Sequence, residues 1–333
     1  MNTLQLGATG PKVSAFGLGC MGMSGMYGPA DRAESIATIH AAMDAGITLL
    51  DTGDFYGSGH NEMLIGEALK GLKGSQRDAA LVSVKFGAMR DPAGGWVGYD
   101  ARPAAGKNFA TYSLQRLGVD HIDVYRPARL EPNVPVEDTI ADLVKAGYVR
   151  HIGLSEVGSQ TIRKAAAVHP VCDLQIEYSL ISRGIEDDIL ATCRELGIAI
   201  TAYGVLSRGL ISGHWKKDSA GAKDFRAHSP RFQGENVDRN LALVDALRKI
   251  ADAKGVTVAQ IAIAWVVAQG DDIVPLIGAR QRTRLDEALG ALDVKLSADD
   301  LAAIERAVPK GAAAGDRYAA AQMASLDSEP RRG

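Results

Sequence analysis

The chain has 333 residues, 46% of them hydrophobic and 23% charged, with 37 basic against 40 acidic residues for a net charge of −3 at pH 7. That is enough chain to bury a full core, and a charge so close to balance gives no electrostatic footprint for nucleic acid or an anionic membrane surface. Cys20, Cys172 and Cys193 lie far apart without CxxC spacing, which fits a reducing, cytoplasmic setting; the first residues lack a signal-peptide pattern, and the apolar run Ile261 to Ala268 falls far short of the ~20 residues that span a bilayer.

In chain order, Leu4-Gln5-Leu6 and Lys12-Val13-Ser14 flank a Thr9-Gly10-Pro11 turn and predict a β-hairpin over residues 3 to 15 that could close a barrel floor. A strand follows over Phe16 to Gly19. Asp31 and Glu34 form a capping pair ahead of Ile36, Ile39 and Met43, which recur at helical spacing until Gly46 supplies the left-handed residue a helix end needs. The same phrase of helix, glycine and aliphatic run then announces strands over Ile47 to Asp51, His121 to Tyr125, Val149 to Ser155 and Ile198 to Tyr203. Further runs occur at Leu81 to Lys85, Asp173 to Gln175 and Ile273 to Leu276. Eight strands alternating with helices imply a parallel sheet with right-handed crossovers, and eight units over roughly the ~250 residues usual for such a fold predict an α/β protein, a closed (β/α)8 TIM barrel. After the seventh strand, Ser207 to Glu235 is a long polar loop carrying Trp215, Phe225, Arg226, Arg231 and Phe232, the size of a functional lid. Residues 1–310 read as one barrel domain, and 311–333, alanine-rich and then charged, as a tail packed loosely or disordered.

Gly17-Leu18-Gly19-Cys20-Met21-Gly22 is a literal GxGxxG, yet no helix opens at it and Asp51 lies too far on for a Rossmann acidic residue. It reads better as a barrel strand end where glycine admits a ligand. A barrel keeps its chemistry at the C-terminal ends of its strands, where Asp51, Tyr56 and Lys85 stand. Neighbouring strands are about 4.8 Å apart, so Asp51 and Lys85 can pair, and a lysine held charged would lower the pKa of a nearby phenol from its usual ~10 and make Tyr56 a proton donor. The same residues also fit a structural ion pair beside an aromatic wall. The seven histidines, at 40, 60, 121, 151, 169, 214 and 228, show no metal-ligand spacing, so no metal is predicted.

Seven strings in order decide between these. Phe16-Gly17-Leu18-Gly19-Cys20-Met21, Asp51-Thr52-Gly53-Asp54-Phe55-Tyr56-Gly57, Val84-Lys85-Phe86-Gly87, Gly153-Leu154-Ser155-Glu156, Gln175-Ile176-Glu177-Tyr178-Ser179-Leu180, Leu206-Ser207-Arg208-Gly209-Leu210 and Val274-Pro275-Leu276-Ile277-Gly278-Ala279-Arg280 resemble the aldo-keto reductase family, in its bacterial branch similar to the potassium-channel β-subunits. The resemblance implies Asp51, Tyr56 and Lys85 as catalytic residues and NADPH across the barrel mouth. It implies nicotinamide on Tyr203, with its carboxamide held by Ser155 and Gln175, and further cofactor contacts at Gly19, Met21 and Asp51. Backbone N–H groups of Gly204, Val205, Leu206, Ser207, Arg208 and Gly209 would face the pyrophosphate. Gly278, Ala279, Arg280, Arg284 and Glu287 would face the adenosine 2′-phosphate. Independently, Arg280, Arg282 and Arg284 gather three guanidiniums at a predicted helix start, a good phosphate site that favours NADPH over NADH.

Two departures stand out. Ala288 follows Glu287 where the family usually has an adenine-contacting asparagine. At the fourth strand, Tyr125-Arg126-Pro127-Ala128-Arg129 places Ala128 where the family has its active-site histidine, and His121 and His151 lie at strand beginnings, on the wrong side of the barrel. The loss of one donor slows catalysis without abolishing it, and a widened pocket is expected, with Arg126 or a water in the histidine's place and Met23, Phe55 and Trp96 in the wall. The resulting expectation is an NADPH-dependent reductase of aldehydes and reactive or bulky ketones, with a small-molecule carbonyl substrate, no nucleic-acid or membrane partner, and an open oligomeric state. The alternative is an NADPH-binding redox sensor or partner-binding module with vestigial catalysis.

Overall fold

The structure is a computed structural model that describes residues 1–130, 134, 136–217 and 224–329, excluding the side chains of 136–139. The chain opens with an antiparallel hairpin, β1 (Thr3–Gln5) and β2 (Lys12–Ser14). Eight strands then close a parallel barrel: β3 (Gly17–Gly19), β4 (Leu49–Gly53), β5 (Leu81–Phe86), β8 (Ile122–Pro127), β9 (Val149–Ser155), β10 (Val171–Glu177), β11 (Ala199–Tyr203) and β12 (Ile273–Gly278), in chain order around the ring, with β12 pairing back to β3. All eight strands and the opening hairpin fall where the sequence predicts them, and the (β/α)8 barrel is the fold.

Two-residue alternation along each strand sorts the side chains. Leu18, Leu50, Val84, Tyr125, Leu154 and Leu174 point outward into the main core with the surrounding helices. Leu49, Val124, Cys172, Ala199, Val274 and Leu276 point inward as a separate apolar layer, sealed from below by Leu6 and Val13 of the hairpin segment. Above that layer the interior turns polar. The registers place Asp51 beside Gly19 and Ser83, Lys85 beside Gly53 and Arg126, and Gln175 beside Ser155 and Thr201. The barrel therefore has a greasy floor and an ionic upper storey.

Local rules account for the elements. Asp31 caps the helix Arg32–Asp44, its Oδ1 accepting from the Glu34 N–H at 2.7 Å. Glu34 does not complete the expected reciprocal box; its carboxylate reaches Arg282 at 2.8 Å. A second antiparallel hairpin, β6 (Ala88–Arg90) with β7 (Trp96–Tyr99), rises from the end of β5. Its strands are too short to show alternation, although the Asp91-to-Gly95 turn, held by Asp91 Oδ1 accepting from the Gly95 N–H at 2.7 Å, carries the usual Gly/Pro chemistry. The tail is the main correction to the expected architecture: over 311–329 it is docked, with Arg317 and Leu326 buried and Ser328 hydrogen-bonded to the backbone of Glu156. Buried charge partners on the barrel hold a segment that composition alone marks as loose.

Candidate active site

A cavity of about 600 Å³ opens at the C-terminal ends of the strands, the position where barrels of this kind keep their sites. Asp51 at its floor is the hub. Lys85 Nζ donates to Asp51 Oδ2 at 2.7 Å, Gln175 Nε2 to Oδ1 at 2.7 Å and Ser83 Oγ to Oδ1 at 3.2 Å. Tyr56, in the loop after β4, is buried against Phe55 and lines the cavity; Lys85 Nζ lies 5.2 Å from its ring centroid. Asp51, Tyr56 and Lys85 are thus brought together.

The electrostatics run opposite to the sequence expectation in one respect. Burial, followed by the negative charge of Asp51, pushes the Tyr56 phenol well above its usual pKa, with Arg129 pulling the other way. Lys85 is itself lowered, burial outweighing the pull of Asp51, and its ammonium sits over the ring with Asp51 as its counter-ion. Tyr56 consequently holds its proton rather than being acidified. A protonated phenol at this position can donate one hydrogen bond into the cavity.

The histidine replacement is also reassigned. Arg126 is fully buried in the barrel interior, where Nη2 forks onto Asp173 at 2.9 and 2.7 Å and Nη1 faces Asp51 at 3.4 Å. It crosses the barrel because Gly153 has no side chain: a Cβ there would lie 2.5 Å from Asp173 Oδ1 and 2.7 Å from Arg126 Nε. Arg126 therefore does not reach the cavity. Ala128 does, and so does Arg129, which sequence reading left without a role. Of the expected wall residues, Phe55 and Trp96 line the cavity, whereas Met23 is packed in the core. Trp96 stands on the second hairpin, 5.9 Å from Phe55 and under the guanidinium of Arg90 at 4.2 Å.

The residues assigned to a cofactor spread along the rest of the same cavity. Gly19, Met21, Ser155, Gln175 and Tyr203 line it with Asp51; Gly204, Val205, Leu206, Arg208 and Gly209 form the rim after β11, and Gly278, Ala279, Arg280, Arg284 and Glu287 the lining at and beyond the end of β12. Ser207 is the exception. It is buried behind the rim with Oγ unpartnered, and its N–H closes a turn onto Gly204 at 2.6 Å, as the Gly209 N–H does onto Leu206 at 2.8 Å, so those two amides face inward. Positive φ at Gly204, Ser207, Arg208 and Gly209 makes this rim a tight, irregular loop. Of the three clustered arginines, Arg280 and Arg284 line the cavity and Arg282 is drawn off to Glu34. Residues from Tyr203 to Arg284 thus line one continuous cavity; Arg284 there pairs with Glu287 at 3.1 Å and Arg280 donates to the carbonyls of Tyr27 and Gly28 at 3.0 Å, and these two guanidiniums are the donors that a dinucleotide phosphate would meet.

A second buried ionic group backs the 204–209 rim, touching Tyr203 and Arg208. Glu156, at φ +56, accepts from Arg317 Nη2 at 2.5 Å, Tyr203 Oη at 2.6 Å and Ser328 Oγ at 2.8 Å. Since the one Tyr203 proton goes to Glu156, the 2.8 Å contact with Tyr318 Oη is donated by Tyr318. Although burial opposes it, Arg317 holds the Glu156 carboxyl far below the usual range. Glu177 accepts from Arg208, Arg317 and Arg231 at 3.3 to 3.5 Å. Tyr318 and Gln322 of the tail line the cavity, together with Tyr27 and Tyr99. Nothing in the strand and helix pattern points to tail residues so far from the repeat.

Comparison with known proteins agrees with this architecture. The model of the Aldo/keto reductase family matches residues 15–309. A Glycine max protein described as "Probable aldo-keto reductase 1" is 40% identical over 319 residues, covering 95% of this chain and 91% of its own length. Among solved structures, the glycerol dehydrogenase of Gluconobacter oxydans superposes with a TM-score of 0.82 at 29% identity, over 92% of this chain and 94% of its own. A thermostable aldo-keto reductase in complex with the inhibitor epalrestat gives 0.73 at 26% identity, over 92% and 100%. The chain belongs to the aldo-keto reductase family.

Proposed function

We propose that this member of the family is an NADPH-dependent reductase of aldehydes and of reactive or bulky ketones, working in the cytoplasm. The observation that carries the reading is the single cavity that Tyr56, Lys85 and Asp51 share with Arg280 and Arg284. Arg280, Arg284 and the 204–209 rim would hold the phosphates, and Tyr203, Ser155 and Gln175 the nicotinamide. The 2′-phosphate is the preferred guest because a guanidinium pair matches its oxygens. Once bound, the reduced nicotinamide supplies a hydride equivalent for a carbonyl carbon.

The chain's own residues do the rest. Tyr56 Oη donates to the carbonyl oxygen and passes its proton as negative charge develops there. The ammonium of Lys85, fixed by Asp51 at 2.7 Å, stabilises the phenolate left behind until solvent reprotonates it. Ala128 leaves room beside Tyr56 for a substrate larger than a histidine-filled pocket would admit. Phe55 and Trp96 give the carbonyl compound an apolar wall. Free, buried cysteines accord with a reducing compartment.

The test is NADPH oxidation by the purified full chain against aromatic aldehydes, dicarbonyls and bulky ketones, with NADH in parallel. Tyr56→Phe is expected to lose about 10²- to 10⁴-fold in kcat while retaining NADPH binding by fluorescence titration. Undiminished turnover in Tyr56→Phe would remove the phenol from the reaction.

A further inference from the structure

The fourth barrel strand, β8, ends at Pro127, and Ala128 and Arg129 carry the chain to the rim of the cavity. Among the described residues Arg129 makes no ion pair. Its Nη1 donates to the carbonyl of its neighbour Ala128 at 2.6 Å, and Nε is buried without a partner. The carboxylates around the mouth make their contacts elsewhere: Glu156 with Arg317, Glu177 with Arg208 and Arg231, Asp51 with Lys85; Glu156 acts on Arg129 only through its charge, without a hydrogen bond among the described residues. Arg129 is half-buried, and although burial opposes it, the neighbouring tyrosines with Glu156 keep it charged, so a fixed cation with an unpartnered Nε faces the mouth and an arriving anion can take that N–H. Among the described residues nothing accepts from Nε or Nη2, whose parallel N–H donors match the spacing of a carboxylate's oxygens.

Position decides what kind of anion this is. In the closed ring β8 and β12 are four strands apart in either direction, so Arg129 faces Arg280 and Arg284 across the mouth. Those two are the phosphate donors of the cavity; Arg129 stands instead on the side of β4 and β5, which carry Tyr56 and Lys85. It is also flanked by the ring of Tyr318, whose centroid is 5.9 Å from the guanidinium carbon. Ala128 presents only a methyl to the cavity beside Arg129, and Arg129 is near enough to Tyr56 for its charge to act on the phenol.

We propose that Arg129 holds a carboxylate of the substrate, so that the cleft selects carbonyl compounds bearing a carboxylate over their neutral counterparts. This specificity rests on the reductase reading of the cleft. Arg129 is a binding residue here, and its guanidinium orients the substrate so that the carbonyl meets Tyr56 Oη.

The experiment uses the full chain with NADPH and a matched pair of aldehydes, 4-carboxybenzaldehyde and methyl 4-formylbenzoate, which differ in one charge. Wild type is expected to show kcat/KM at least about tenfold higher for the acid, as a charge-assisted pair of hydrogen bonds provides, with the difference in KM. Arg129→Met brings the ratio to near one, and Arg129→Lys, which keeps the charge without the fork, retains part of it. A second measurement does not need turnover: calorimetric titration with phenylacetate and phenylacetamide. Wild type binds the acid more tightly, and Arg129→Met does not. Failure of every carbonyl compound to oxidise NADPH would sink the reductase reading alone, since the titration still decides the anion site. Equal binding of phenylacetate and phenylacetamide by wild type, or an acid preference that survives in Arg129→Met, overturns the proposal.

Discussion

Replacing Arg317 with methionine removes the cation from a carboxylate that water cannot reach. The Glu156 side chain is 0% exposed and that of Arg317 8%. After the change, Glu156 keeps hydrogen bonds from Tyr203, Ser328 and the Glu177 N–H but loses both guanidinium contacts. Breaking a buried pair from one side costs about 3–5 kcal/mol, because the surviving charge is left uncompensated. Urea unfolding of the full chain, followed by tryptophan fluorescence, should show that loss as a lower midpoint with an unchanged slope. Adding Glu156→Gln to the variant removes the orphan charge and should recover part of the loss, giving a coupling of about 2 kcal/mol or more in the double-mutant cycle. Acid supplies a second check. The Glu156 carboxyl is held well below the usual range in the folded protein, so its contribution is fully present above the unfolded carboxylate pKa of about 4.3 and is lost as pH falls below that toward the folded value. The wild-type advantage over Arg317→Met should therefore shrink from about pH 4 downward. A loss below about 1 kcal/mol at pH 7, with the 311–329 segment still protected from protease, would refute the reasoning.

Asp54 titrates in the opposite sense. Burial, with Glu62 nearby, lifts its pKa to about 8, and Oδ1 has no partner; the folded state thus binds the proton more tightly, and wild-type stability is expected to fall as pH rises from about 4 toward 8, by at most about 1.4 kcal/mol per pH unit. Asp54→Asn should flatten that slope in unfolding midpoints measured across the window, and an unchanged slope would rule Asp54 out as its source. Gly153→Ala places a methyl against the Arg126–Asp173 pair and is expected to cost about 1–3 kcal/mol; a neutral outcome in thermal unfolding would mean that Arg126 can shift aside. Arg284→Ala should weaken NADPH binding about tenfold and leave NADH nearly untouched, a difference read from two fluorescence titrations.

The eight strands were legible as short aliphatic runs, four of them announced by a glycine that ends the preceding helix, a pattern that barrel packing does not override. The ends of the strands were legible in part. Asp51, Lys85 and Tyr56 announce themselves as ionisable groups at the correct positions, but the sign of the Tyr56 shift is set by burial and by the Asp51 charge beside it, and the degree of burial is not written in spacing. Arg126 and Arg129 show the limit most clearly. They lie three residues apart, and only strand alternation combined with the missing Cβ of Gly153 sends the first into the barrel and the second to the mouth. The docking of Arg317 onto Glu156 joins segments far apart in the chain, and no local periodicity reports such a pairing.

Tyr318 and Gln322 border the cleft, although they come after the last barrel strand and belong to no repeat unit. The vessel and its brim are consequently written in separate stretches of polypeptide. Mutational drift in those late residues can reshape what enters the mouth while every strand register stays as it is, provided that Glu156 keeps a cation to meet it.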